Sequence, residues 1–161
     1  MQQLSPRHDV ALLKINLPAS TPKVDINDNY DSIEPGDKAI VLGYPAASPP
    51  VYHTIKSQDF FNRESQIGEI PDPSLAVGNI GRLLRGSDNP NDKNNAYSVF
   101  GDAYQLTINT AGSGNSGGPV FDDHGKVVGI FFAGGVKNGV MLTFAVPIKY
   151  GKELMTVSGG K

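Results

Sequence analysis

The sequence predicts an all-β domain closed by one short C-terminal helix. Two observations carry the prediction. Glycine (19) and proline (12) together make up about a fifth of the 161 residues, above the usual sum of roughly 12%. They also fall between short apolar runs instead of gathering in one tail, as expected for many strands joined by turns. Only the last apolar segment reads as a helix.

The elements follow in order. Val10 to Ile15 is a short apolar run closed by Pro18 and is expected to be a buried strand. Residues 18–38 are polar and end in Glu34-Pro35-Gly36-Asp37, a turn signal. Lys38 to Tyr44 is the next strand, stopped by Pro45, and residues 45–65, with Pro49-Pro50, read as an extended surface loop. Ser74 to Leu84 is a strand whose glycines allow a bend or bulge. Arg85 to Asn95 is almost wholly polar and reads as an exposed loop. The alternating stretch Ala103 to Thr110 is a strand, followed by Pro119–Phe121, Lys126–Ala133 and Val140–Val146, with a hairpin turn at His124-Gly125. Ile148 to Val157 follows Pro147 as a helix with Ile148, Leu154 and Met155 on one side, although Gly151 weakens it. The tail Ser158–Lys161 is expected to fray.

Composition removes several function classes. The formal charge is −2, with no basic run, which argues against an electrostatic nucleic-acid binder. No apolar stretch approaches the roughly 20 residues that span a bilayer, so no membrane partner is expected. The absence of cysteine excludes a disulfide scaffold, a thiolate zinc site and a cysteine nucleophile. The opening MQQLSPRHD has no apolar core and does not read as a secretion signal.

The chemistry concentrates in Thr110-Ala111-Gly112-Ser113-Gly114-Asn115-Ser116-Gly117-Gly118-Pro119-Val120. Gly112, Gly114 and Gly117 have the spacing of a dinucleotide fingerprint, but that fingerprint needs a helix to begin there, and Pro119 with a three-residue apolar run predicts a strand. A serine flanked by glycines instead suits a tightly turned loop whose amides converge to stabilise an oxyanion. Gly114 supplies the backbone freedom, and Gly117 and Gly118 leave room for a carbonyl beside the hydroxyl. An ordinary glycine-rich turn is the bland alternative, and it accounts poorly for the full six-residue run between two strands.

Gly114-Asn115-Ser116-Gly117-Gly118-Pro119 resembles the active-serine signature of trypsin-like (chymotrypsin-fold) serine proteases, and Asp9-Val10-Ala11-Leu12-Leu13-Lys14 resembles that family's signature around its triad aspartate. Pro35-Gly36-Asp37 leading into Val41-Leu42-Gly43-Tyr44-Pro45, Gly125 to Ile130, and Phe144-Ala145-Val146-Pro147-Ile148 resemble the bacterial HtrA/Deg-type branch. The resemblance implies a trypsin-like fold with a complete C-terminal barrel and the last part of the N-terminal one. Residues 1–20 would end the first barrel, 21–36 link the two, 37–147 form the second barrel and 148–157 the helix. It implies Ser116 as nucleophile, Asp9 as the carboxylate that orients a histidine, and the N–H groups of Gly114 and Ser116 as the oxyanion hole. Phe132, Ala133 and Gly134 would pair with a polypeptide substrate, and Thr110 to Ser113 and the region near Phe144 would wall a pocket for a small or medium apolar side chain. No cofactor and no metal are implied. A periplasmic or secreted location is implied by the resemblance alone.

The catalytic histidine of that family precedes the aspartate in a motif resembling T-x-x-H, and only eight residues precede Asp9. His8 abuts Asp9; neighbouring strand residues point to opposite faces, so it reads as a solvated side chain. His53 falls in the expected loop and in the wrong chain order, although convergent triads use other orders. His124 reads as an exposed turn residue. The expectation is therefore a serine endopeptidase whose histidine lies in a missing N-terminal segment of the same protein; the alternative is a catalytically inactive, peptide-binding relative. Without the histidine, the 161 residues alone are expected to have little hydrolytic power.

Overall fold

The computed structural model describes residues 2–16, 21–56, 61, 64–70, 72–85 and 101–158. The expected strand Lys38 to Tyr44 forms as β3 (Lys38–Gly43), after β1 (Gln2–Leu4), β2 (Ala11–Leu13) and a 3₁₀ turn at Tyr30–Ser32. There follow β4 (Val51–Lys56), β5 (Ser65–Ile70), β6 (Ser74–Leu84), β7 (Ala103–Leu106), β8 (Pro119–Phe121), β9 (Val127–Lys137), β10 (Val140–Pro147) and helix α1 (Ile148–Ser158). Six strands close an antiparallel barrel in the order β10-β7-β6-β3-β8-β9, with β9 returning to β10. β1–β2 and β4–β5 are separate two-stranded hairpins.

Inward alternation fills the barrel. Ala39 and Val41 of β3, Ile80 of β6, Tyr104 and Leu106 of β7, Val120 of β8, Val128 and Phe131 of β9 and Ala145 of β10 form one core with Ile108 and Ala111. Closure removes the edges that an open six-stranded sheet would expose. The expected bulge in β6 lies between Ile80 and Arg82, at Gly81. The Glu34–Asp37 turn forms as its residues require: Gly36 takes φ +107° and its N–H donates to Ile80 O at 2.7 Å. Gly125 likewise turns with φ +73° between β8 and β9.

Several expectations are corrected. Residues 45–65 are not all loop: β4 and β5 pair from Val51↔Ile70 to Lys56↔Ser65. Neither face of that hairpin meets the core, and Tyr52, Ile55 and Ile67 are exposed, so its sequence lacks the apolar/polar alternation that marks a half-buried strand. The strand expected at Val10 to Ile15 shrinks to β2 and is largely exposed; Val10, just before it, is the buried residue. β1, unforeseen, is its partner, Gln3 facing Leu12. β7 ends at Leu106, where the chain bends with Ile108 still inside. In α1, Ile148 and Leu154 are buried but Met155 is exposed; Gly151 is tolerated because it packs closely over Val10 and Ile148. The stretch 86–95 of the expected polar loop and the tail residues 159–161 lie outside the described residues.

The helix covers the join between the N-terminal hairpin and the barrel: Val10, Val146 and Leu154 form a small cluster with Leu12, Ile130, Phe132 and Tyr150. No helix among the described residues is long and apolar enough to cross a membrane. Phe131 is a fully buried ring of the barrel core, 1% exposed. Phe131→Ala is expected to cost about 3–5 kcal/mol in urea unfolding, whereas Ile67→Ala on the exposed hairpin is expected to change stability by about 0.5 kcal/mol or less.

Candidate active site

The glycine loop is built against two strands. Gly117 N–H donates to Phe131 O (2.8 Å) and Phe131 N–H donates to Gly118 O (2.9 Å), tying the segment after Ser116 to β9. Gly118 also lies against β3: a Cβ there would stand 2.7 Å from Leu42 O. Before Ser116, Asn115 is 3% exposed, and its N–H and its Nδ2 both donate to Gly112 O, at 3.1 and 3.2 Å. Gly43 of β3 leaves the space that the Asn115 amide occupies; a side chain at position 43 would collide with it.

Gly114 is required twice over. Its φ is +94°, a region costly for residues with a Cβ, and a Cβ would strike the carbonyl of Tyr44. The preceding carbonyl, Ser113 O, accepts from Ala46 N–H at 2.8 Å. Because a trans peptide sets its N–H opposite its carbonyl, that bond turns the Gly114 N–H away from Ala46. The amides of Asn115, Gly117 and Gly118 are thus engaged, while those of Gly114 and Ser116 have no acceptor among the described residues. Strand β8 follows, not a helix, so the glycines have no helix N-terminus with which to hold a pyrophosphate.

Ser116 is exposed, and its Oγ donates to Phe132 O at 3.4 Å. It opens on a cleft of about 650 Å³ whose opposite wall is the N-terminal hairpin; Asp9, Val10 and Leu13 line it with Ser116, Gly117 and Phe132. The structure thus brings Ser116 and Asp9 to one concavity. Beyond Phe131, the side of β9 away from β10 has no strand partner among the described residues. Thr110 is exposed on the segment leading into the loop. The ring of Phe144 is buried with Leu84 and Ala103 and meets Phe132, and Met141 and Thr143, on the strand's other face, are turned to Gly134. No group of three or more His, Asp or Glu residues among those described is arranged to hold a metal.

The histidines are accounted for individually. His8 borders the cleft but is not a solvated side chain: its ring stacks on Tyr150 of α1, centroids 3.4 Å apart and planes 14° from parallel. It also abuts Gly101, and Ser5 Oγ accepts its N–H at 3.2 Å. The alternation argument fails here because residues 6–9 form a bend and not a strand; aromatic stacking fixes the ring instead. Tyr150 in turn donates to Asp102 Oδ2 at 2.8 Å, and Lys149 pairs with the same carboxylate at 3.5 Å. His53 stands exposed on β4 opposite Gly68. His124 is exposed in its turn, as its sequence position predicts, with Asp122 Oδ1 accepting its N–H and that of Lys126.

Residues 1–130 match the trypsin-like peptidase domain family. Among solved structures, the chain is similar to the HtrA-type protease AlgW with a tripeptide, at 25% identity and TM-score 0.62, covering 94% of this chain and 40% of that one. AlgW with a decapeptide matches at 25% identity and TM-score 0.63, covering 94% and 37%. An inactive-form serine-to-alanine variant of Rv3671c from M. tuberculosis H37Rv matches at 21% and TM-score 0.59, covering 98% and 63%. The chain therefore spans less than two thirds of the length of each of these structures. No curated protein matches significantly.

Two outcomes follow from the site geometry. Gly114→Ala is expected to destabilise the fold by on the order of 1–3 kcal/mol, read by thermal or urea unfolding. For His8, burial is the largest influence and lowers its pKa below the ordinary 6.5, outweighing the attraction of Glu153 and Asp102 and reinforced by Lys149 and Arg7. The unfolded chain then takes up the proton first, so the His8 contribution is intact above pH 6.5 and is lost as pH falls through and below that value. His8→Phe, which keeps the stack without the titration, is expected to flatten the acid side of the stability–pH curve.

Proposed function

We propose that this chain, which belongs to the trypsin-like peptidase domain family, supplies the nucleophile, the oxyanion-binding amides and the orienting carboxylate of a serine endopeptidase. The observation that carries the reading is the shared cleft: Ser116 and Asp9 line the same concavity, on opposite walls. The unbonded amides of Gly114 and Ser116 support it. In this reading Ser116 Oγ attacks the scissile carbonyl carbon while an imidazole takes the hydroxyl proton. The oxyanion accepts from the Gly114 and Ser116 N–H groups, and the imidazolium returns the proton to the leaving amine as the C–N bond breaks. Water then cleaves the Ser116 ester by the same proton route. Asp9 holds the imidazole tautomer and offsets its charge.

The imidazole comes from outside residues 1–161. His8 is held against Tyr150, and His53 and His124 sit on exposed elements that do not line the cleft. A polypeptide substrate would add as a strand along the side of β9 away from β10, at Phe132–Gly134, its side chain before the scissile bond entering beside Thr110. A periplasmic or secreted location accompanies this reading. A second reading, a peptide-binding relative without catalysis, draws on the engagement of His8 elsewhere.

The test is to express residues 1–161 together with the reading frame upstream of Met1 and to treat the product with a fluorophosphonate probe. Stoichiometric labelling mapped to Ser116 and abolished by Ser116→Ala is expected, with Asp9→Asn slowing it by about 10⁴-fold, as loss of the orienting carboxylate does in such triads. A folded product that leaves Ser116 unlabelled overturns the endopeptidase reading in favour of the binding module.

A further inference from the structure

We propose that Tyr150 is a positioning residue of this site: together with Leu154 it grips the two neighbours of Asp9 and so sets where the carboxylate stands on the cleft wall. The inference rests on the endopeptidase reading and adds to it a role for one face of the C-terminal helix.

Asp9 sits between two anchored residues. Before it, the His8 ring stacks on Tyr150, centroids 3.4 Å apart and planes 14° from parallel. After it, Val10 is buried with Val146 and Leu154. The two anchors are also tied to each other around Asp9, because Val10 N–H donates to His8 O at 2.8 Å. Ser5 closes the turn: its N–H donates to Val10 O at 3.0 Å, and its Oγ accepts from His8 N–H at 3.2 Å. The backbone of Asp9 therefore goes where its neighbours go. Tyr150 and Leu154 stand four residues apart in α1, the spacing that puts two side chains on one helix face. That single face holds both anchors.

The stack has a built seat. Gly101 takes φ +81°, and a Cβ there would collide with Cδ2 and Nε2 of His8, so the imidazole occupies the space that the missing side chain leaves. The next residue, Asp102, accepts from Tyr150 Oη at 2.8 Å. One dipeptide thus makes room for the His8 ring and also fixes the phenol on which that ring lies. A histidine that merely covered the helix would need neither. The second anchor is as close: a Cβ on Gly151, between Tyr150 and Leu154, would stand 3.8 Å from Val10 Cγ2.

The test uses residues 1–161 with the upstream reading frame and follows the rate at which the fluorophosphonate probe modifies Ser116. Tyr150→Leu removes the ring and is expected to lower the maximal labelling rate by about 10²-fold, the scale of a misplaced catalytic group. The half-saturating probe concentration is expected to stay unchanged. His8→Ala is expected to act in the same way, and Tyr150→Phe, which keeps the ring, to recover most of the rate. In an Asp9→Asn background, Tyr150→Leu is expected to slow labelling no further, because residues that act through one group are not additive. A merely structural loss would persist in that background. Thermal unfolding checks that each variant is folded, and His8→Ala carries the comparison if Tyr150→Leu is not. Labelling at the wild-type rate in the folded variant, or an undiminished further loss in the Asp9→Asn background, overturns this inference and leaves the endopeptidase reading standing. If the wild type itself is unlabelled, the endopeptidase reading falls and amide spectra of residues 1–161 decide the positioning. There Tyr150→Leu has to shift the Asp9 signal and leave those of Gly114 and Ser116 in place; an unmoved Asp9 signal overturns the inference.

Discussion

The pair of main-chain hydrogen bonds between the glycine loop and Phe131 is the constraint on which the site depends. Gly117 N–H to Phe131 O and Phe131 N–H to Gly118 O join a loop to a barrel strand as a ladder would, so the loop inherits the rigidity of the closed sheet. The inward ring of Phe131 anchors the same residue in the core. Backbone position and core packing are thereby coupled at one point, one peptide away from the carbonyl that meets Ser116 Oγ. A loop held only by its own turns would leave the Gly114 and Ser116 amides free to wander; in the proposed reaction their fixed direction is what counts, since preorganised donors need no reorganisation as charge develops.

Close backbone approach explains where the glycines fall. Gly43 makes room for the Asn115 amide, Gly118 lies on the Leu42 carbonyl, and Gly114 lies on the Tyr44 carbonyl. Three consecutive positions at the exit of β3, Leu42, Gly43 and Tyr44, therefore meet three positions of the serine loop. Two of these contacts are main chain on main chain, and the third seats the Asn115 side chain against a glycine.

What was legible in the sequence follows the range of the interactions. The serine loop could be read because its signal is local: Gly-Asn-Ser-Gly-Gly-Pro sits within six residues and leads through Pro119 into a strand. The barrel strands β3, β6, β8, β9 and β10 could be read because burial imposes period-two alternation or short apolar runs between turns. The β4–β5 hairpin could not, since both its faces meet water and no period is imposed. Nor could the stacking of His8 on Tyr150, which joins residues 142 positions apart, or the burial of Phe144 with Leu84 and Ala103. The latter depends on which way β10 is turned, and the bulge between Phe144 and Ala145 shifts the register there.

The N-terminal hairpin shows how little contact suffices to bring a second wall to the serine. β1 and β2 pair only with each other, and they are attached to the rest through α1 and the barrel strands beside it: Val10 packs with Val146 of β10 and Leu154 of α1, Leu12 joins that cluster with Ile130 and Phe132 of β9, and His8 lies flat on Tyr150. Tyr150 is fixed from behind by Asp102, and Lys149 sits 3.6 Å over the ring of Tyr30, at the linker's 3₁₀ turn. Burial and the Asp102 hydrogen bond both raise the Tyr150 pKa, so the phenol keeps the proton it donates. The turn that carries Asp9 is therefore positioned by an aromatic and polar chain anchored in the helix, while Ser116 is positioned by main-chain bonds anchored in the barrel. The two walls meet at β9, where Leu12 packs in one cluster with Ile130 and Phe132 and Phe131 holds the serine loop, so the hairpin and the loop share one support.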